Sequence, residues 1–330
     1  MPELSIVIPT FNTAAMTLQT CRDVLAAAPS AEIIVVDDAS TDDTAELLHR
    51  ELPNITVLRM ETNRRFAGAA NAGVAASRAN VILLLNSDAR VDPEAPSALL
   101  AALEADPHLG IAGARLLNCD GSPQWSGGPL PTLLWLFVMV SGCARFLPRR
   151  RRASTGDAGW VSGAAMAFRR EVWNAAGPLR ESYRFYAQDL DFCGRAGALG
   201  WHVRVVESAR VIHDGGATVR RWRDVAELPH DPALLWPDVL DWARTHLGIF
   251  RGRAAKPVMC AAAMLRLTAR RLRELFMRAE ARRRSQSTTR IYTRALRQLL
   301  VEREQPAGEG VAGVTRLDEP PAGLSDRARP

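Results

Sequence analysis

The chain has 330 residues, 47% of them hydrophobic, which suits one or two domains with a sizeable core and excludes a wholly disordered polymer. A net charge of +6 comes almost entirely from arginine, with Lys256 the lone lysine. Acids dominate the first half and arginines crowd the last third, so the excess charge belongs to one region. Five cysteines (Cys21, Cys119, Cys143, Cys193 and Cys260) form no C-x-x-C pair, which argues against a zinc site or a disulfide framework and fits a reducing cytoplasm.

Residues 4–8 read as a strand that begins almost at once, with no basic leader, so no signal peptide is expected. The loop Pro9, Thr10, Phe11, Asn12 follows, then helical character over 15–28 that closes at Pro29. Residues 32–36 form a second apolar strand ending in Asp37-Asp38. Thr41 or Asp42 then offers an N-cap for a helix through Arg50. A short strand at 55–59, a small-residue helix at 67–78 and a strand at 81–85 continue the alternation. Strands separated by helices of about 10–15 residues predict an α/β fold with a doubly wound, mostly parallel sheet and helices on both faces.

A helix is expected over 93–105 and a strand over 110–114. Residues 118–158 carry turns, an apolar stretch at 133–143 and an arginine run at 149–152, without regular patterning. The apolar stretch is far short of the ~20 residues that cross a bilayer. Pattern returns as a strand and bend over 161–169, a helix over 187–199 and a strand over 202–206 that leads to His213. Helical periodicity rich in arginine covers 233–248 and 256–303, a C-terminal arginine-rich helical extension, and 305–330 reads as a disordered tail. The expected organisation is thus a domain at 1–230, a basic helical extension at 231–304 and the tail.

Three acidic groups stand out. Asp37-Asp38 ends a strand, where a carboxylate can accept hydrogen bonds from a pyrimidine imide or a ribose hydroxyl; a helix N-cap is the alternative. Asn86-Ser87-Asp88 ends a fully apolar strand and puts residues 86 and 88 on one face. One carboxylate with water and phosphate oxygens is a usual magnesium or manganese arrangement, and a turn that caps the next helix is the alternative. Gln188-Asp189-Leu190-Asp191 lies among aromatics, where partial desolvation raises a carboxylate's basicity and suits it to general-base work. The alternative is a helix N-terminus whose acids complement the dipole. Asp189 is the preferred base and Asp191 its support. His213, followed by glycines, could be structural or could face a ligand.

In order and spacing these segments resemble, over roughly 3–216, the inverting nucleotide-sugar glycosyltransferases of the GT-A fold, glycosyltransferase family 2, in its bacterial rhamnosyltransferase-like branch. The resemblance implies nucleotide contacts from Pro9, Thr10, Phe11, Asp38, Asn63, Asn71 and Asn86, and a Mg²⁺ or Mn²⁺ ion held by Asp88 and His213. It implies an acceptor side at Trp160, Ser162, Gly163, Gln188 and Asp191, with Asp189 as base. Three positions depart from the family pattern: Asn86 where many members have Asp, Gln188 where Glu is usual, and Arg65 where Gly is usual.

The implied donor is dTDP-rhamnose or a UDP-sugar, and the implied acceptor a cell-surface glycan or a lipid-linked one. A cytoplasmic enzyme resting on the inner membrane face would use its basic helices to meet an anionic membrane surface. No nucleic-acid module is recognised. Two other readings compete. One is a catalytically silent nucleotide-sugar-binding scaffold. The other is a sugar-phosphate nucleotidyltransferase, disfavoured because the loop after the first strand lacks glycine and arginine.

Overall fold

The computed structural model of the chain describes residues 2–146, 156–214, 231–301 and 314–316. The arginine run at 149–152, the glycines after His213, the expected boundary at 230 and most of 305–330 lie outside the described residues.

Four parallel strands come first: β1 (Leu4–Thr10), β2 (Glu32–Asp37), β3 (Thr56–Met60) and β4 (Val81–Leu85). Helices α1 (Ala14–Ala27), α2 (Thr44–Glu51) and α3 (Arg65–Ala76) connect them. Their order in the sheet is β3-β2-β1-β4, so the winding direction reverses between β1 and β4 and leaves a crevice beyond their carboxyl ends. Ile82, Leu83, Leu84 and Leu85 are buried, and each contributes ~1.5–3 kcal/mol to holding the central strand in place. α3 is made of small residues because it lies close on the sheet. A Cβ on Gly73 would come within 2.3 Å of Val7 Cγ1 and 2.9 Å of Val36 Cγ2. The N-cap of α2 is Asp43, not the expected Thr41 or Asp42; Asp42 sits one residue outside, and its Oδ1 accepts the Thr44 N–H at 3.1 Å.

Past β4 the sheet becomes mixed. It gains β5 (Ala89–Val91), α4 (Ala95–Ala105), β6 (Leu109–Leu117), β10 (Ala165–Arg169) and β11 (His202–His213). β10 lies antiparallel between β4 and β6, β11 runs parallel to β6, and β5 pairs antiparallel with the end of β11. A strand buried on both faces has no directional pattern, so this antiparallel insertion has no signature in the sequence. Smaller elements are β7 (Gly127–Gly128), α5 (Leu133–Ser141), a 3₁₀ turn at Cys143–Phe146, β8 (Gly156–Ala158), β9 (Trp160–Val161) and α6 (Arg170–Ala176). The helix expected near 187–199 is α7 (Gln188–Ala198).

The C-terminal region forms α8 (Pro232–His246), α9 (Gly248–Leu275) and α10 (Ala279–Val301). The single helical run expected over 256–303 is thus two helices. Trp236, Leu240, Trp242, Met259 and Leu299 share one buried cluster with Leu136 and Val140 of α5 and with Tyr183 and Leu190. These helices therefore pack directly on the segment that carries Asp189. Residues 314–316 pair as a short antiparallel strand, β12 (Val314–Arg316), on the edge of β3, inside a stretch read from sequence as unstructured.

Candidate active site

Three neighbouring strand ends deliver the first group of side chains. Pro9 and Thr10 end β1, Asp38 follows β2, and Asn86 to Asp88 follow β4. The Asp38 N–H donates to Thr10 O at 2.9 Å, which locks the first two ends together. Asp38 Oδ1 accepts the Arg64 N–H at 2.7 Å, and Asn63 Nδ2 donates to Asp38 O at 3.0 Å. Asp38 is only 3% exposed, and burial pushes its acid up to about 7 despite the Arg64 and Arg65 N–H groups. The Thr10 hydroxyl is turned away from the crevice and hydrogen-bonds Thr13 and Thr17 at 2.8 and 2.7 Å. Pro9, Thr10 and Phe11 all line the cavity described below.

His213 arrives from the far side of the sequence through strand register. It pairs with Ala89 across β11 and β5, which sets its ring beside Asp88. Gln124 Nε2 donates to Asn118 Oδ1 and to His213 O at 3.0 and 3.2 Å, so Gln124 Oε1 is the acceptor for His213 Nδ1–H at 2.7 Å. That bond places the proton on Nδ1 and leaves the Nε2 lone pair pointing at Asn86 Nδ2, 3.0 Å, and Asp88 Oδ1, 3.3 Å. That lone pair accepts the Asn86 amide N–H, and a divalent cation shared by Nε2 and Asp88 Oδ1 would take the place of this bond. A carboxylate oxygen suits Mg²⁺ or Mn²⁺, whereas an imidazole nitrogen is a poor partner for Mg²⁺, so of the two expected ions these donors are better matched to Mn²⁺. No cluster of three or more His, Cys, Asp or Glu occurs among the described residues, so water and diphosphate oxygens would complete such a shell.

Asp189 opens α7. Its Oδ2 accepts the Gly163 N–H at 2.9 Å and its Oδ1 the Leu190 N–H at 2.7 Å, each oxygen keeping a lone pair for another partner. Burial pushes its acid up, opposed by those two N–H groups. Asp191, two residues on, faces the other way. It is fully buried and accepts from His246 Nε2 at 2.7 Å, Arg195 Nε at 2.9 Å and Tyr183 Oη at 3.2 Å, with Arg180 at 3.2 Å. Burial opposes its ionisation, yet His246, Arg195 and Arg180 hold its acid below the ordinary value. Opposite environments at i and i+2 separate a basic carboxylate from a structural one.

The turn before Asp189 is held by the C-terminal helices. Asp238 of α8 accepts the backbone N–H groups of Arg184, Phe185 and Tyr186 at 3.0, 2.8 and 2.7 Å. Asp231 N donates to Tyr186 Oη at 3.3 Å. Ala187, at φ +68°, then turns the chain into α7.

One cavity of about 1330 Å³ joins these groups. Its lining includes Pro9, Phe11, Asp38, Asn63 and Arg65; Asn86, Asp88, His213, Ser162, Gly163 and Asp189; and an aromatic set of Trp125, Trp135, Trp160, Trp236 and Tyr292. Gln188 is 3% exposed and lines the cavity, and its Nε2 has no hydrogen-bond partner among the described residues. Trp125 meets Trp160 edge-on at 5.4 Å and Trp135 at 5.6 Å, making an aromatic wall.

Of the expected site residues, two do not line the cavity. Asn71 spends its amide on Leu179, donating to its O at 2.9 Å and accepting its N–H at 3.0 Å, so it fixes a loop instead of a nucleotide. Asp191 serves as the buried hub described above. Arg65 has φ +60°, a conformation that suits the glycine usual at this position of the family. Gln124, Trp125, Trp135, Asp238 and His246 were not singled out from sequence. Their roles depend on contacts across 52 or more residues for Asp238 and 55 for His246, and no local pattern announces them.

The family model described as Glycosyl transferase family 2 matches residues 5–175. The N-acetylglucosaminyl-diphospho-decaprenol L-rhamnosyltransferase of Mycobacterium tuberculosis is 28% identical over 202 residues, 55% of this chain and 66% of that protein. The poly-beta-1,6-N-acetyl-D-glucosamine synthase of Staphylococcus epidermidis is 24% identical over 178 residues, 53% of this chain and 41% of that protein. The chain thus spans less than two thirds of the length of these curated relatives. A mannosyltransferase from Pyrobaculum calidifontis, solved in complex with GDP-Man and Mn2+, superposes with a TM-score of 0.59 at 16% identity, covering 92% of this chain and 88% of that one, a likeness of fold. With more than half of its length matched, and strand ends, crevice and acidic groups arranged as above, the chain belongs to glycosyl transferase family 2.

Proposed function

We propose that the protein transfers a sugar, with rhamnose the favoured candidate, from a nucleoside diphosphate donor to a hydroxyl of a lipid-linked or cell-surface glycan, inverting the anomeric centre. The observation that carries this reading is that Asp38, Asp88, His213 and Asp189 all line one cavity. Asp38 and Asn63 would seat the nucleotide, with Pro9 and Phe11 against the base. Asp88 Oδ1 and His213 Nε2 would hold Mg²⁺ or Mn²⁺ beside the diphosphate. When bound there, the ion supplies Lewis-acid neutralisation of the leaving group.

The chain's own chemistry is at Asp189. Its raised basicity suits it to take the proton of the acceptor hydroxyl as the acceptor oxygen bonds to the anomeric carbon. The bond from that carbon to the diphosphate oxygen breaks on the opposite face, and the electron pair leaves with the diphosphate. One displacement inverts the configuration. The Gly163 and Leu190 N–H groups fix the carboxylate's direction, and a Cβ on Gly163 would lie 3.4 Å from Asp189 Cβ and 3.6 Å from Phe66 Cζ. The aromatic wall supplies faces for stacking sugar rings or an apolar acceptor, and the Gln188 amide a donor for an acceptor oxygen.

The test is thermal stabilisation by dTDP, UDP and GDP, each with and without Mn²⁺, on the parent and on Asp189→Asn. A manganese-dependent rise with one nucleotide is expected in both proteins. Transfer in the variant should drop by about 10²–10⁴-fold. A variant with full turnover would remove Asp189 from the reaction, and no stabilisation by any nucleotide would remove the donor site.

A further inference from the structure

α9 has two unlike sides. Ala255, Met259, Ala262, Ala263 and Leu267 are buried in the cluster shared with α5, α8 and α10. The opposite side carries Phe250, Ala261, Met264, Leu265, Leu272 and Leu275, all exposed, at spacings of three, four, seven and eleven that trace one stripe of a 3.6-residue period. Phe276 extends it just past the helix end. Phe250 and Phe276 are 88% and 89% exposed. At 1.5 Å per residue the stripe runs roughly 40 Å. A run of exposed apolar residues of this length is not an ordinary solvated face.

Its borders are basic. By helical rotation Arg253 and Arg271 flank one edge and Arg251 and Arg273 the other, all four exposed. α9 holds six arginines and one lysine against a single glutamate, Glu274. That glutamate is turned inward, where it accepts from the Ser285 and Thr289 hydroxyls at 2.8 and 2.7 Å. Among the described residues no helix is long and apolar enough to cross a membrane. A second copy would set arginine rows against arginine rows, a like-charge contact that opposes association. The chain beyond α10 reaches the edge of β3 as β12, on the sheet.

We propose that this face of α9 lies in the headgroup layer of an anionic lipid bilayer, its apolar stripe in the acyl boundary and its arginines on the lipid phosphates. Arg266 and Tyr292 line the same cavity as Asp189 from the other side of α9 and from α10. Docking therefore brings the part of the cavity lined by Arg266 and Tyr292 to about one helix diameter, roughly 10 Å, from the lipid surface. This consequence rests on the glycosyl-transfer reading; the docking itself does not.

The experiment is flotation of the full chain with phosphatidylglycerol–phosphatidylcholine vesicles and with phosphatidylcholine alone, at about 0.1 M and about 1 M salt. Two variants are compared: Phe250→Ser/Leu272→Ser/Phe276→Ser, and Arg251→Gln/Arg253→Gln/Arg271→Gln/Arg273→Gln. Circular dichroism and melting temperature with nucleotide check folding and the donor site in the same samples. The parent should float with anionic vesicles at low salt, and the serine variant should bind at least tenfold more weakly. At about fivefold per arginine, the glutamine variant should lose a hundredfold or more. The glutamine variant leaves the apolar stripe intact, so it tests the proposal even if the serine variant does not fold. A parent that stays unbound at low salt overturns the proposal. So does either folded variant binding as the parent does, or a dimer that the serine variant dissolves in the absence of any vesicle binding. Nucleotide-dependent stabilisation without vesicle binding would sink this inference alone and leave the proposed reaction standing.

Discussion

The carboxylate of Asp238 never faces the cavity, yet its replacement by asparagine should cripple turnover. Burial pushes its acid up to about 6 from an ordinary 3.8, against the three N–H groups of residues 184–186. At neutral pH keeping it ionised therefore costs ~3 kcal/mol of stability. The sign follows from the raised value: the group's contribution to stability is larger in acid and falls as pH rises from about 4 to about 6. That cost is already net of the three N–H bonds, so Asp238→Asn removes it, but the new amide NH₂ must then face one or two of the same N–H donors, which is unfavourable.

The two effects oppose, so the melting temperature should move by a few degrees at most. The turn that aims Asp189, by contrast, loses its template. A misplacement of about 1 Å costs on the order of 10² in rate, ~2.7 kcal/mol at the barrier. Steady-state kinetics with calorimetric titration of the donor nucleotide should show kcat down about a hundredfold and donor Kd unchanged. In the parent, activity should also fall as pH drops through about 6, where Asp238 is protonated. The reasoning is refuted if a folded variant keeps parental kcat, or if donor affinity falls in step with kcat.

Asp38 should tune nucleotide affinity with pH. With its acid pushed up to about 7, the carboxylate proposed to meet the nucleotide is lost as pH falls through that value; titrations of UDP or dTDP at several pH values should weaken on the acid side, and Asp38→Asn should flatten the profile. Gln124→Leu should release His213 from its Nδ1–H tautomer and weaken Mn²⁺ affinity by about 10–100-fold, read by metal titration of nucleotide-dependent melting. Unaltered metal affinity there would show that the tautomer is set elsewhere. Gln188→Glu places a second carboxylate beside Asp189. Like charge disfavours ionisation of the base, so the acid limb of the rate profile should move to higher pH; an unmoved limb would separate the two side chains.

Much of this site was legible along the chain. Apolar runs that end in acids announced β2 and β4 with their carboxylates, and the alternation of strand and helix announced the parallel half of the sheet. The aromatics around Asp189 and Asp191 pointed to a desolvated carboxylate, while the choice of Asp189 as base rested on the family resemblance. These are local properties: period, composition, and the side of a strand on which a residue falls. Arg65 also carried a local signal, a residue with a side chain where the family keeps glycine, which the positive φ explains.

Tertiary structure alone decided the rest. Asn71 looks like a site residue in sequence, but its amide goes to Leu179 and it does not line the cavity. β10 entered the sheet antiparallel because pairing with β4 and β6 satisfied its backbone, a choice that its side-chain pattern does not encode. The arginine-rich helices read as an extension, but Asp238 and His246 tie them to the turn before Asp189 and to Asp191 beside it. Such contacts join residues more than fifty positions apart, and a hydrogen bond at that separation depends on where the backbone goes, not on what lies next in the sequence. Period and composition determine which faces are buried; only the folded chain determines which buried groups meet.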